Sequence, residues 1–323
     1  MKIGILGTAD IAFRRFLPAL KKCPEFTYAG VASRALEKTK PFLETYGGQG
    51  YSSYEALLAD KSIDAVYVPL PPALHYAWGR KVLESGKHLL MEKPFTTSLA
   101  ETEALLALAK EKDLMVHENY MFLYHSQMAK VKELIADGTL GEVRLIRAAF
   151  GFPKRGGDDF RYKKELGGGA LLDCGGYPVR LALELLGDTA RVVQAKLSQP
   201  EGYKVDLYGS AVLENESGLC AQVSFGMDNA YQCQLEMWGS ETTLIAPRIF
   251  TAGPDFYPKI ILRASSSEEH LELEPDDSFL HSIQQFRSGI ADRPHKAAME
   301  ILRQGKAVFT IQKTGDTYAG DRP

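Results

Sequence analysis

From residue 1 to about 120, short apolar runs alternate with amphipathic stretches. KIGILG, FTYAGVAS, IDAVYVPL, HLLMEK and LMVHENY read as strands. AFRRFLPALKKC, LEKTKPFLETYG, HYAWGRKVLESG and SLAETEALLALAKEKD read as helices between them, most closed by Gly or a charged turn. Such alternation builds a parallel sheet from βαβ units, and a short third strand over Gly50 to Ser52 makes it a six-stranded, doubly wound α/β sheet. After about residue 125 the rhythm changes. One helix, MAKVKELIADG, leads into VVQAKLSQ, SAVLEN, LCAQVSFGM, CQLEMWGS, KIILRAS and HLELEP with little but turns between them, which predicts an antiparallel meander. The chain is therefore expected to form an N-terminal α/β domain over 1–122 and an α+β domain over 123–323, the second built on a large, open, mostly antiparallel sheet. A broad apolar face on that sheet needs covering, so a homodimer or homotetramer through it is expected. The tail DTYAGDRP reads as frayed.

Composition narrows the function. At 323 residues the chain exceeds the usual reach of one core, and 45% apolar with 24% charged residues is ordinary for a soluble protein. A net charge of −3 gives no general attraction to nucleic acid or to an anionic membrane, so the expected partner is a small molecule. Cys23, Cys174, Cys220 and Cys233 form no C-x-x-C pair, which fits buried thiols in a reducing compartment. With no signal-like N-terminus and no apolar run of membrane-spanning length, a cytoplasmic protein is expected. The seven histidines lack metal-ligand spacing, and no G-x-S-x-G elbow or G-K-[ST] phosphate loop is present.

The loop GTADIA follows the first strand where a G-x-G-x-x-G fingerprint would sit. Gly7 keeps the tight-turn role, while Ala9 and Ala12 stand for the second and third glycines. Alanine is an accepted variant in the third place, and a methyl at Ala9 is tolerable where φ is negative. Gly7, Thr8, Ala9, Asp10 and Ile11 are thus expected to present helix N-terminal N–H groups to a pyrophosphate. At the tip of the second strand an acid would select NAD. This chain has Ser33 and Arg34, with Lys38 one turn on, which favours the 2′-phosphate of NADP, although solvated surface charges would look the same.

Ligands of open parallel sheets bind beyond the carboxyl ends of the strands. That rim carries Leu70, Pro71 and His75 in VPLPPALH, Glu92, Lys93 and Pro94 in MEKP, and Glu118, Asn119 and Tyr120 in HENYMF. Leu70, Pro71, His75, Glu92, Lys93 and Asn119 are the expected cofactor neighbours. Pro94 biases Lys93 towards extended backbone, directing its ammonium outward. A second dense stretch is DDFRYKKELGGGALLDCGGYPVRLALELLG. Gly167 to Gly169 permit a close backbone approach, and Asp173 and Tyr177 are four residues apart on one helix face. Gly175 and Gly176 inside that helix cost about 1 kcal/mol each against alanine, which points to tight packing there.

Together, GTADIA, EKP, GGGALLDCGGY and the two-part layout resemble the glucose-fructose oxidoreductase, inositol dehydrogenase and related (Gfo/Idh/MocA) family over nearly the whole chain. The resemblance implies a Rossmann domain, a domain built on an open mixed sheet, and hydride transfer at a sugar or related alcohol carbon. It maps a catalytic role onto Lys93, and onto Asp173 and Tyr177 of DCGGY. Many members have histidine where this chain has Tyr177; a phenol with an ordinary pKa near 10 suits proton donation in a reductase. The stretches ADIAFRRFLPAL, VASR, AVYVPLP, HENYMFLYHSQ, FRYKKELGGGALLD and MWGSE are similar to the NDP-hexose 3-ketoreductase branch. That branch implies NADPH reducing a 3-keto group, with Tyr177 protonating the oxygen, Lys93 stabilising it and Asp173 binding a sugar hydroxyl. A diphosphate substrate needs cations, for which Arg161 stands first, ahead of Lys163, Lys164, Arg14 and Arg15; Tyr162 and Phe160 are expected beside the substrate or cofactor. The alternatives are an NADP-dependent dehydrogenase of free sugars or dihydrodiols, and a non-catalytic NADP-binding regulator.

Overall fold

The computed structural model describes residues 1–292 and 294–316, so the tail beyond Asp316 lies outside the described residues. The chain divides into two units, Met1–Tyr120 with Phe279–Gly305, and Met121–Ser278 with the segment from Lys306 on.

In the first unit β1 (Lys2–Leu6), β2 (Thr27–Ala32), β3 (Gln49–Tyr51), β4 (Ala65–Val68), β5 (His88–Met91) and β6 (Val116–Glu118) form one parallel sheet of order β3-β2-β1-β4-β5-β6. Helices α1 (Leu17–Leu20), α2 (Lys40–Tyr46), α3 (Tyr54–Ala59), α4 (His75–Glu84) and α5 (Leu99–Glu111) connect the strands. Ile3, Ile5, Val66 and Leu89 are fully buried because the sheet is covered on both faces, which is why these strands read as continuous apolar runs. The order reverses between β1 and β4, the topological switch point at which open sheets bind ligands. Two helix starts are capped as their sequences suggest: Ser53 Oγ accepts from the Ala56 N–H, and Ser98 Oγ from the Glu101 N–H.

The second unit holds α6 (Ser126–Ala136), α7 (Gly176–Leu186) and an eight-stranded sheet. Its strands are β7 (Val143–Gly151), β8 (Arg191–Ser198), β9 (Tyr208–Glu214), β10 (Cys220–Gly226), β11 (Gln232–Gly239), β12 (Thr243–Ala246), β13 (Lys259–Arg263) and β14 (Glu268–Glu272). The order is β14-β13-β12-β11-β7-β10-β9-β8, so the sheet is no simple meander. The central strand β7, which the sequence reading passes over, lies between β11 and β10 and runs parallel to β10. Its alternation is real, with Ile146, Ala148 and Phe150 buried, but small alanines and an outward arginine weaken the signal. The short β12 is likewise absent from that reading. One sheet face packs on α7 and the turn before it, where a Cβ on Gly175 would come 2.9–3.1 Å from the Phe225 ring. The other face carries Arg147, Ser210, Gln222, Ser224, Gln234 and Glu236, so it is polar rather than apolar as expected.

Helices α8 (Ser278–Asp292) and α9 (Pro294–Asp316) follow the sheet. Residues 279–305 belong to the first unit, where the sequence reading gives them to the second. Burial explains the return: Phe279, Ile283, Phe286 and Ile301 are buried, and Phe286 stacks on Phe26 at 5.9 Å.

Candidate active site

At the first strand end Gly7 has φ +96°, and its N–H donates to the Ala32 carbonyl at 2.9 Å. That φ calls for glycine; an added Cβ would also meet the end of the Leu70 side chain, Cδ2, at 2.7 Å. Among the described residues Asp113 alone has positive φ without being glycine, so Ala9 keeps the negative φ that a methyl needs. The chain then winds as a π-helical turn over Ala12–Phe16 before α1, with the Ala12 and Phe13 N–H groups donating to Ala9 O. Thr8, Ala9 and Ile11 are half-buried. Asp10 is exposed and pairs with Arg14 at 2.7 Å, while Arg15 lies over the Phe279 ring at 5.3 Å. Both arginines thus have partners within their own unit.

The tip of β2 has the character that NADP requires. Ser33 is buried, its N–H donating to Tyr51 O and its Oγ accepting from the Ala35 N–H. Arg34 and Lys38 are exposed. Burial raises the Tyr54 phenol above its ordinary pKa, with Arg34 acting the other way. The tyrosine ring stands edge-on to Trp78 at 4.7 Å. Ser33 and two exposed cations with no acid before Glu37 fit a 2′-phosphate, not a bare ribose diol.

Around Lys93 the rim is held from several sides. Glu92 Oε1 accepts from the Tyr67 hydroxyl and from Asn119 Nδ2, each at 2.7 Å, and Glu92 Oε2 accepts from the Lys93 N–H at 3.3 Å. Asn119 Oδ1 accepts from Ser282, whose hydroxyl also meets His117 Nε2 at 2.9 Å. The Lys93–Pro94 peptide is cis, and the Phe95 N–H donates to Glu118 Oε1 at 2.7 Å. Lys93 is half-buried, as are Leu70 and Pro71. Asn119 and His75 are buried with their polar atoms on protein partners.

His75 is fully buried, with Nδ1 2.7 Å from Pro94 O and Nε2 2.7 Å from Leu70 O. Carbonyl oxygens only accept, so the neutral ring donates its single N–H to one of the two. Burial pushes its pKa down from 6.5 to about 4, with the Lys93 charge contributing in the same direction. Between these values the unfolded ring takes up a proton that the folded ring refuses. Stability from this group is therefore complete above about pH 6.5 and is lost as pH falls towards 4. We expect the loss to be on the order of 3 kcal/mol. Urea midpoints measured from pH 7 to 4.5 should show a shallower acid slope in His75→Gln than in the wild type; identical slopes would remove His75 from the account.

In the second unit, residues 171–175 form a second π-helical turn, leading into α7. Asp206, on the segment before β9, accepts from the Leu171 N–H through Oδ2 at 2.7 Å and from the Ala170 N–H through its carbonyl. The π winding changes the α-helical spacing assumed between Asp173 and Tyr177, and π turns concentrate at functional sites. Asp173 is 8% exposed and meets Arg161 Nε at 2.7 Å. The Tyr177 ring is caged by Phe150 at 4.9 Å, Phe122 at 5.8 Å and Phe250 at 5.9 Å. Tyr162 donates to Met227 O and accepts from the Arg155 N–H, and its ring lies beside Tyr203 at 6.0 Å. Lys163 is half-buried and Lys164 exposed. Asp159, Asp206, Tyr67 and Ser282 are absent from the sequence reading because each acts on a residue distant in the chain or through a turn with no motif of its own.

Among the described residues no group of three or more His, Cys, Asp or Glu side chains could hold a metal ion, and no helix is long and apolar enough to cross a membrane. Comparison with known proteins adds three findings. Residues 1–120 match the model of an oxidoreductase family with an NAD-binding Rossmann fold, GFO_IDH_MocA, and residues 128–245 match the GFO/IDH/MocA C-terminal domain. The chain is 40% and 38% identical to dTDP-3,4-didehydro-2,6-dideoxy-alpha-D-glucose 3-reductases of Streptomyces violaceoruber and Actinomadura kijaniata, covering 97% of this chain and 95% of each relative. A crystal structure of KijD10, a 3-ketoreductase from Actinomadura kijaniata in complex with NADP and TDP-benzene, superposes with a TM-score of 0.94 at 38% identity, covering 97% of both chains.

Proposed function

Because the chain belongs to the GFO/IDH/MocA oxidoreductase family, we propose that it is an NADPH-dependent ketoreductase acting on the 3-keto group of a nucleotide-linked keto-deoxyhexose. One observation carries this reading: the likeness to dTDP-sugar 3-reductases runs through both units rather than through the dinucleotide fold alone. In this reading the backbone from Gly7 to Ile11 holds the pyrophosphate, Ser33, Arg34 and Lys38 hold the 2′-phosphate, and Leu70 and Pro71 border the nicotinamide. The bound cofactor supplies the hydride. Lys93, its main chain fixed through Glu92 and Pro94, stabilises negative charge on the keto oxygen. Tyr177, its ring immobilised by three aromatic neighbours, delivers the proton, and Asp173 accepts a hydrogen bond from a sugar hydroxyl.

The test is NADPH consumption with a nucleotide-linked 3-keto-deoxyhexose generated in place, set against NADH and against free sugars. NADPH-selective turnover of the nucleotide sugar is the expected result. Turnover of free sugars alone would replace this reading with a sugar dehydrogenase, and tight NADPH binding without turnover of either would replace it with a regulator.

A cytoplasmic location is also proposed, supported by four free cysteines of which Cys23, Cys174 and Cys233 are buried. The enzyme is further proposed to be a homodimer or homotetramer through the open sheet face. There Arg147 pairs with Glu236 at 3.3 Å and covers the exposed Trp238 ring at 4.0 Å, beside a shallow strip of Ala149, Ser210 and Ser224. Light scattering should give a multiple of the chain mass, and Ala149→Glu, which places a charge in the strip, should reduce it to one chain. A wild-type monomer at micromolar concentration would end the idea.

A further inference from the structure

The sequence assigns Arg161 to the substrate's phosphates, but the geometry gives it other work. Nε donates to Asp173 Oδ2 at 2.7 Å, and Nη1 donates to both oxygens of Asp159 at 3.1 and 3.2 Å. The Arg161, Asp159 and Asp173 side chains are only 19%, 19% and 9% exposed. The guanidinium also lies over the Phe160 ring at 4.6 Å. Its backbone is pinned as well: Asp159 Oδ1 accepts from the Arg161 N–H, and the Arg161 carbonyl accepts from the Gly169 N–H at 2.9 Å. A Cβ on Gly168 would come 2.3 Å from that carbonyl, so the glycine is what lets the two strands of the turn close. The trio of one cation and two carboxylates has a net charge of −1, which disfavours a diphosphate.

We infer that Arg161 is a positioning residue: it holds Asp173 as an ionised hydrogen-bond acceptor aimed at a substrate hydroxyl, and it does not bind the diphosphate. This rests on the ketoreductase reading above. An ionised carboxylate only accepts, whereas a protonated one also donates, so the charge state of Asp173 decides whether it welcomes a hydroxyl. Arginine suits the task because its fork reaches two carboxylates at once and it keeps its proton at any pH the protein meets. Burial alone would lower the Arg161 pKa, but Asp173 and Asp159 outweigh it and raise it above the ordinary value. The other titratable or charged groups on the surrounding elements are Asp158, Tyr162, Lys163, Lys164 and Glu165 of the Arg161 turns, Cys174 beside Asp173, Asp206 before β9, and Tyr177, Arg180 and Glu184 of α7; the inner faces of β7, β9 and β10 present apolar side chains such as Phe150, Leu213 and Phe225. Without Arg161, a carboxylate this buried takes up a proton at higher pH.

The test uses the full chain as wild type, Arg161→Met and Arg161→Lys. It measures kcat/KM between pH 5.5 and 9 with the nucleotide-linked substrate, and dTDP binding by calorimetry with NADPH present. Arg161→Met is expected to lose about 30-fold in kcat/KM at the acid end and much less at the alkaline end, the loss of one charge-assisted hydrogen bond. Its dTDP affinity should stay within about twofold of the wild type. Arg161→Lys keeps the cation but not the fork, so it should show a weaker form of the same acid limb, and it reads the question if the methionine variant does not fold. A tenfold or greater loss of dTDP affinity with an unchanged pH profile would make Arg161 a phosphate ligand and overturn the inference. Absence of wild-type turnover would instead sink the ketoreductase reading, while dTDP binding by the variants would still settle whether Arg161 holds phosphate.

Discussion

Lys93→Ala is expected to lower kcat by about 10²–10⁴-fold while leaving NADPH affinity within about threefold. The split follows from the local structure. The main chain at residue 93 is fixed by the Glu92 carboxylate on one side and by the His75–Pro94 contact on the other. Glu92 is itself held by Tyr67 and Asn119, so truncating the lysine side chain removes a charge without loosening the rim that borders the cofactor. Arginine at this position separates two roles. Arginine cannot give up a proton but can stabilise an oxyanion, so Lys93→Arg should recover a good part of the lost rate if the ammonium acts electrostatically. Recovery to no better than the alanine level would make Lys93 the proton donor in place of Tyr177. The measurement is single-turnover NADPH oxidation at saturating substrate, with cofactor affinity taken separately from fluorescence. An unchanged kcat in Lys93→Ala would remove the residue from the chemistry.

The fold of the first unit was legible because its central strands β1, β4 and β5 are buried on both faces; Ile3, Ile5, Val66 and Leu89 announce themselves as runs. The second unit was harder to read. Strand β7 is central in space, yet its inner face is Ile146, Ala148 and Phe150 and its outer face carries Leu145, Arg147 and Ala149, a pattern that carries little apolar contrast. Nothing local says that it pairs in parallel with β10, about 75 residues away, because register is a property of two strands and not of one. The return of Phe279–Gly305 to the first unit is equally nonlocal, depending on Phe26 and His117 as partners. At the site the motif residues were visible as types at the right strand ends, but their partners were not. His75 reads as a cofactor neighbour because it follows a strand tip, while its contacts to Pro94 O and Leu70 O carry no signal in the sequence. Arg161 looked like a phosphate anchor because it is a cation near glycines; only Asp159 and Asp173 show how it is used.

Arg34→Ala should weaken NADPH binding by about 10- to 100-fold and leave NADH binding within about twofold, the size of one to two charge-assisted hydrogen bonds. An exposed arginine paired with one carboxylate would contribute far less, because water and salt screen a single charge and two long side chains must be ordered. A phosphate differs on both counts: it carries nearly two charges, and the guanidinium fork can engage two of its oxygens. The effect should shrink as salt is raised. Because Arg34 is exposed and the Tyr54–Trp78 contact survives its removal, the melting temperature should be almost unchanged. If NADPH and NADH weaken equally, the arginine is not reading the 2′-phosphate, and the choice of cofactor would have to rest on Ser33 and Lys38.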